Sequence, residues 1–138
     1  MYFVDLTSFD IVFFMLACIS TLLFVCFFQS GVDKIIDRQG NELWLNKHFS
    51  NTMFKGFVSI LITIITLLEL LSAIFLFIGL VFLAMYQSIF FIQYGLMLCS
   101  ITLLCLFLGQ RIAKDYEGAY VLVVYFTLTM FGCYVSTL

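Results

Sequence analysis

The stretch FVSILITIITLLELLSAIFLFIGLVFLAMYQSIFFIQYGLMLCSITLLCLFL, residues 57–108, decides the fold. Glu69 is its one acidic or basic residue. A helix rising 1.5 Å per residue crosses the hydrocarbon of a bilayer in about 20 residues, and this run has roughly twice that length. It must therefore turn back once. The most polar point inside it, Met85-Tyr86-Gln87-Ser88, is the natural turn.

Working outward, a second apolar run covers Ile11 to Phe28 and stops at Gln29-Ser30-Gly31 with Asp33-Lys34. The polar island Gln110 to Gly118 precedes a last apolar run from Ala119 to Tyr134. The reading is an all-α membrane protein, residues 1–138 forming a single four-helix transmembrane bundle with spans near 11–28, 57–84, 89–108 and 119–134. Composition agrees: hydrophobic residues are 64%, charged residues 10% and mean hydropathy is +1.20. Soluble domains hold about 25% charged residues, and a surface this apolar would aggregate in water. Proline is absent, so no span has to kink. Asp5 and Asp10 stand where a secretion signal would be basic, and no small-residue cleavage site follows; the first span should stay in the mature chain.

All six Lys and Arg residues fall in two connections, 29–56 and 109–118, which a four-span topology places on one side. The positive-inside rule makes that side cytoplasmic, with both termini outside, for a multi-pass protein of the cell (inner) membrane. Within the first connection Gly40-Asn41 reads as a turn, followed by a short amphipathic interfacial helix from Glu42 to about Met53. Leu45, Phe49 and Met53 form its apolar stripe, with Trp44 at headgroup depth and His48 as an interfacial polar residue.

Glu69 is the most informative single residue. About 12 positions into its span, it is expected near the bilayer midplane, where an ionisable group must be buried, paired or neutralised. Ser59, Thr63, Thr66 and Ala73 share its side and suit a helix–helix contact. Three readings stay open: a protonated structural carboxyl, a proton-handling or ligand-binding carboxylate facing a cavity, and a lipid-facing residue. The second candidate group is the rim of the bundle: Gln29, Asp33 and Lys34 after the first span, with Gln110, Arg111, Lys114 and Asp115 before the last. Ion pairs such as Asp33 with Arg111 or Lys114 would make it a structural clasp with headgroup contacts. An anion or headgroup pocket is the alternative, with Arg111 as a forked donor.

Other chemistries find no footing. The five cysteines lie in apolar segments without a Cys-x-x-Cys pair and read as small buried hydrophobes, with a redox pair assembled between helices, such as Cys26 with Cys105, as the alternative. No phosphate-binding loop, metal-spaced cluster or Ser/His/Asp set occurs, and one His excludes bis-histidine haem. A net charge of −2 without basic patches gives no nucleic-acid signature. No intrinsic cofactor is expected; a quinone or a lipid is the ligand class left.

The stretches FFQSGVDKIIDRQGN (27–41) and GQRIAKDYEGAYVLVVYF (109–126) resemble those of the DoxX-like family of four-helix bacterial integral membrane proteins. The resemblance covers the layout of the whole chain. Gly31 and Lys34 correspond to the family's glycine and lysine after the first span, and Gln110 to Tyr116 to its arginine- and aspartate-bearing connection. It implies an accessory or structural subunit of a membrane, redox-linked complex, working with a protein partner or as a homo-oligomer among membrane lipids. Two alternatives remain: a quinone-linked oxidoreductase component in which Glu69 handles protons, and a small-molecule transporter. The absence of broken helices weighs against the last.

Overall fold

A computed structural model describes residues 8–138, with side chains from residue 10 onward; Asp5 lies outside the described residues. Five helices follow in order: α1 (Ser8–Ile36), α2 (Arg38–His48), α3 (Val58–Tyr86), α4 (Phe90–Ile112) and α5 (Tyr116–Val135). Four of them, all but α2, are long and apolar enough to cross a membrane. The protein is an all-α, multi-pass membrane bundle. The helices run up and down in the cyclic order α1, α3, α4, α5, closed by a smaller seam between α5 and α1.

Burial follows the logic of a lipid solvent. The inward stripe of α3 is Thr66, Glu69, Ser72, Ala73, Leu76, Gly79 and Leu83. Its outward face carries larger apolar residues: Leu67, Leu71, Ile74 and Phe77 are all exposed. A soluble helix would be arranged the other way. Lipid tails are as apolar as leucine, so helix contact comes from small residues and close packing. Gly79 supplies one such approach: a Cβ there would stand 2.7 Å from the backbone nitrogen of Ile92. Gly95 lies against Leu76, and Gly132 against Ile19 and Leu96. Leu16, Ile19, Leu23 and Phe27 of α1 fill the centre together with Ile92, Leu96, Cys99 and Leu103 of α4.

The α3–α4 turn is closed by Gln87 in the left-handed conformation (φ 53°), its N–H bonded back to the Leu83 carbonyl and the Ser88 N–H to that of Phe82. The α4–α5 link is as short: Lys114 takes φ 60°, and the Asp115 carboxylate accepts the Gly118 N–H to cap α5.

Two boundaries differ from the sequence reading. The first span does not stop at Phe28. Ser30, Gly31, Asp33 and Lys34 all continue α1 to Ile36, because loss of apolar composition does not interrupt helical hydrogen bonding. The amphipathic helix also begins and ends earlier than Glu42–Met53. Asp37 caps it by accepting the Gly40 N–H, so Gly40-Asn41 lies in its first turn and is not a connecting turn. A Cβ on Gly40 would collide with the Asp37 carboxylate. The helix ends at His48, and the Thr52 hydroxyl and N–H both bond the Phe49 carbonyl in the turn that follows. Met53 is left 75% exposed outside the helix and is not part of its apolar stripe.

Candidate functional site: a buried ion pair between two cavities

The continuation of α1 past Phe28 carries Lys34 to the flank of α3. Its Nζ lies 3.0 Å from Glu69 Oε1 and 2.9 Å from Oε2. The pair is buried, with the Lys34 side chain 18% exposed and that of Glu69 only 3%. Ser30, one turn before Lys34, bridges the two: Lys34 Nζ donates to Ser30 Oγ at 2.7 Å, and Ser30 Oγ donates to Glu69 Oε1 at 3.0 Å. Gly31 makes this approach close, since a Cβ on it would meet Leu70 Cδ2 at 2.7 Å.

The two carboxylate oxygens of Glu69 differ. Oε1 accepts from Ser30 Oγ and from Lys34 Nζ, whereas Oε2 faces the Lys34 ammonium alone, at 2.9 Å. Glu69 is therefore an ion-paired side chain facing protein, which removes the lipid-facing reading. It stands opposite Ser30 and Lys34, beyond the end of the apolar run of α1 at Phe28.

Glu69 borders a cavity of about 370 Å³ between the α2-side halves of α1 and α5. Gln29, Ser30, Asp33, Cys26 and Tyr125 supply its polar lining; Leu103, Leu106 and Leu122 are among its apolar walls. A second, more apolar cavity of about 510 Å³ lies under α2, between Trp44 and Leu45 on one side and α3 and α4 on the other. Lys34 lines this second cavity, and Leu106 lines both. The ion pair thus stands in the partition, with its anion toward one space and its cation toward the other.

The rim residues divide into separate groups. Asp33 pairs with neither Arg111 nor Lys114: it is exposed and lines the first cavity, so the expected clasp is not formed. Arg111 instead places its guanidinium 4.7 Å over the ring of Tyr116, a cation–π contact within its own connection. Lys114 is exposed at the left-handed turn position. Gln110 and Asp115 meet His48, whose Nε2 is 3.1 Å from Gln110 Oε1 and 3.7 Å from Asp115 Oδ2. His48 also stacks on Trp44 at 4.5 Å, so it ties α2 to the α4–α5 link and is not a free interfacial residue. Ser59 and Thr63 hold α2 as well. Arg38 donates to the Ser59 carbonyl and to Thr63 Oγ1, while Glu42 accepts from Arg38 and from Ser59 Oγ. All five cysteines are free; Cys26 lines the first cavity and Cys105 the second, on opposite sides of the partition.

Sequence reasoning found Glu69 and Lys34 separately and missed their meeting. The available signal was the Ser30–Lys34 spacing, one turn apart on the same face of α1 once that helix is continued. What the geometry defines is a four-span membrane bundle with a buried Lys–Ser–Glu triad set in the wall between two cavities. Compared with protein-family profiles, with curated proteins and with solved structures, the chain matches none of them.

Proposed function

We propose that this protein is a ligand-binding accessory subunit of a redox-linked membrane complex, related to the DoxX-like proteins, and that the cavity beside Glu69 receives a quinone-class head group. The observation that carries the reading is Glu69, a carboxylate 3% exposed and paired with Lys34, at the edge of a cavity of about 370 Å³ that also gathers Gln29, Ser30 and Tyr125. A quinol hydroxyl is a donor of the right kind for a carboxylate in that position. The Tyr125 hydroxyl and the Gln29 amide on the same walls suit a quinone carbonyl, and Leu103, Leu106 and Leu122 suit the ring. Pockets of roughly 300–1,000 Å³ with apolar walls and few convergent polar groups are the usual form of small-molecule sites. The charge distribution supports an inner-membrane orientation with the α2 end cytoplasmic. In this reading electron transfer belongs to a partner protein, and the bundle holds the ligand and accepts its hydrogen bond.

The test is retention of a short-tailed benzoquinol by the purified full chain in lipid nanodiscs. Leu122→Trp narrows the cavity without touching the ion pair, and Tyr125→Phe removes one hydroxyl. Retention should fall by about tenfold or more in the first, equivalent to ~1.4 kcal/mol, and by less in the second. Retention unchanged in Leu122→Trp would remove the quinol from this cavity and the function with it.

A further inference from the structure

The walls of the cavity beside Glu69 differ in what they can do with a hydrogen bond. On α1, Cys26, Gln29, Ser30 and Asp33 line it at positions i, i+3, i+4 and i+7, one face of the helix. Glu69 of α3 and Tyr125 of α5 complete the polar lining. No Lys, Arg or His is among the described residues that line this cavity; Lys34 lines the other one.

The two carboxylates are engaged to different degrees. Glu69 is buried and held by Lys34 and Ser30. Asp33 is exposed, and among the described residues its carboxylate has no hydrogen-bond or ion-pair partner. An ionised carboxylate accepts hydrogen bonds and cannot donate one. The Ser30 hydroxyl has already given its proton to Glu69 Oε1, and its oxygen accepts from Lys34. Gln29 and Tyr125 can donate or accept and so serve any polar ligand. The lining is therefore weighted toward acceptors, and its uncommitted charge is Asp33.

The two oxidation states of a quinone-class head group differ in this same respect. A quinone carbonyl only accepts, whereas a quinol hydroxyl also donates. Against Asp33 a quinol forms a charge-assisted hydrogen bond. A quinone sets two acceptor oxygens against each other.

We infer that the cavity selects the reduced, hydroxyl-bearing form of its ligand and that Asp33 is the specificity-determining residue. The inference rests on the quinone-class reading of the cavity and adds the oxidation state; it concerns binding alone. A dry site built around a hydroxyl rejects an analogue without one by about 10⁴-fold or more, because its polar groups are left unpaired. Asp33 is exposed and keeps water when a quinone is present, so the discrimination is about tenfold. For a two-electron couple, that preference raises the midpoint potential of the bound pair by ~30 mV.

The test sets the two forms against each other on one preparation. The full chain in lipid nanodiscs is equilibrated without oxygen with a short-tailed benzoquinone, its quinol, or the quinol dimethyl ether, which keeps the shape but has no donor. The quinol should be retained at a concentration about tenfold lower than the quinone or the ether. Asp33→Asn exchanges one acceptor oxygen for a donor at an exposed position outside the packed core. It should bring the quinol-to-quinone ratio within about twofold, lowering the quinol and raising the quinone. Asp33→Glu should keep most of the preference. A merely structural role for Asp33 would weaken both forms together and leave their ratio unmoved. Equal retention of quinol and quinone by the native chain, or a ratio unchanged in Asp33→Asn, would overturn this inference and leave the ligand class standing. Retention of neither form would remove the ligand class and the preference with it.

Discussion

The two halves of the bundle are built from the same four helices but joined by different means. Toward the α3–α4 turn, glycines bring backbones together: Gly79 meets Ile92, Gly95 meets Leu76, and Gly132 meets Ile19. Toward α2 the same helices stand apart around two cavities, and their contacts are polar: Lys34 with Glu69, Arg38 with Ser59 and Thr63, His48 with Gln110. Close packing needs no partner of specified charge, so the first half is held chiefly by shape, with one polar tie from the Gln93 amide to the Ser136 carbonyl. The second half depends on particular side chains and leaves room between them. One half is a scaffold, and the other has the makings of a site.

The sharpest way to break that contrast is at its most buried charge. Lys34→Met leaves the Glu69 carboxylate without its cation in a place where it is 3% exposed. Removing one member of a buried pair costs about 3–5 kcal/mol, whereas replacing both by apolar residues of similar volume is often neutral or stabilising. Lys34→Met should therefore destabilise the protein by about that amount, and Lys34→Met with Glu69→Leu should recover most of it. Denaturant unfolding in detergent micelles measures both. If the double variant is as unstable as the single one, the pair is doing more than neutralising itself, and the polar half is held by Ser30 and Glu69 in some further way.

Glycine substitutions test the other side of the comparison with a smaller effect. Gly79→Ala puts a methyl group 2.7 Å from the Ile92 backbone nitrogen, where only a shift of α4 can relieve it. Overpacking of this kind costs about 1–3 kcal/mol. Gly109→Ala, on α4 beside the α2 groove, meets only Phe49 Cζ at 3.7 Å, an ordinary contact. There the gain in helix propensity, about 0.5–1 kcal/mol, should dominate and raise stability. Opposite signs for the same chemical change in two halves of the bundle are the expected result of micelle unfolding. Two losses of equal size would mean that the α2 half is packed as tightly as the other.

The scaffold half was the more legible in the sequence. Apolar length and one polar point in residues 57–108 suffice for two spans and their turn, because both signals are local. The site half depends on where helices end, and composition is a poor guide to that. Ser30, Asp33 and Lys34 look like a stop, yet none of them breaks a helix, and α1 runs on until Asp37 begins the next one. Two extra turns of α1 bring Lys34, 35 residues away in sequence, to Glu69. The Asp-x-x-Gly pattern at 37–40 and again at 115–118 was also visible, and in both places the carboxylate caps a helix by bonding the glycine N–H. At Gly40 the sequence alone reads as a turn, since the glycine's need for space beside the Asp37 carboxylate shows only once the cap is formed. That Glu69 requires a partner followed from burial; which partner did not.

The smallest effect sharpens the comparison at its outer edge, where α2 lies on the bundle. Glu42 Oε1 accepts from Arg38 Nε at 2.9 Å and from Ser59 Oγ at 3.0 Å, but the side chain is 29% exposed. A pair of this i,i+4 kind is worth about 0.3–0.5 kcal/mol. Arg38 keeps its bonds to the Ser59 carbonyl and Thr63 Oγ1 when Glu42 loses its charge. Glu42→Gln should thus change global unfolding by less than about 0.5 kcal/mol, while amide exchange within residues 38–48 rises. That combination identifies α2 as a strap that opens locally over its groove. If α2 amides stayed protected and the whole bundle lost ~2 kcal/mol instead, α2 would open only with global unfolding. The polar half would then be as cooperative as the glycine-packed half, and the division between scaffold and site would lose its physical basis.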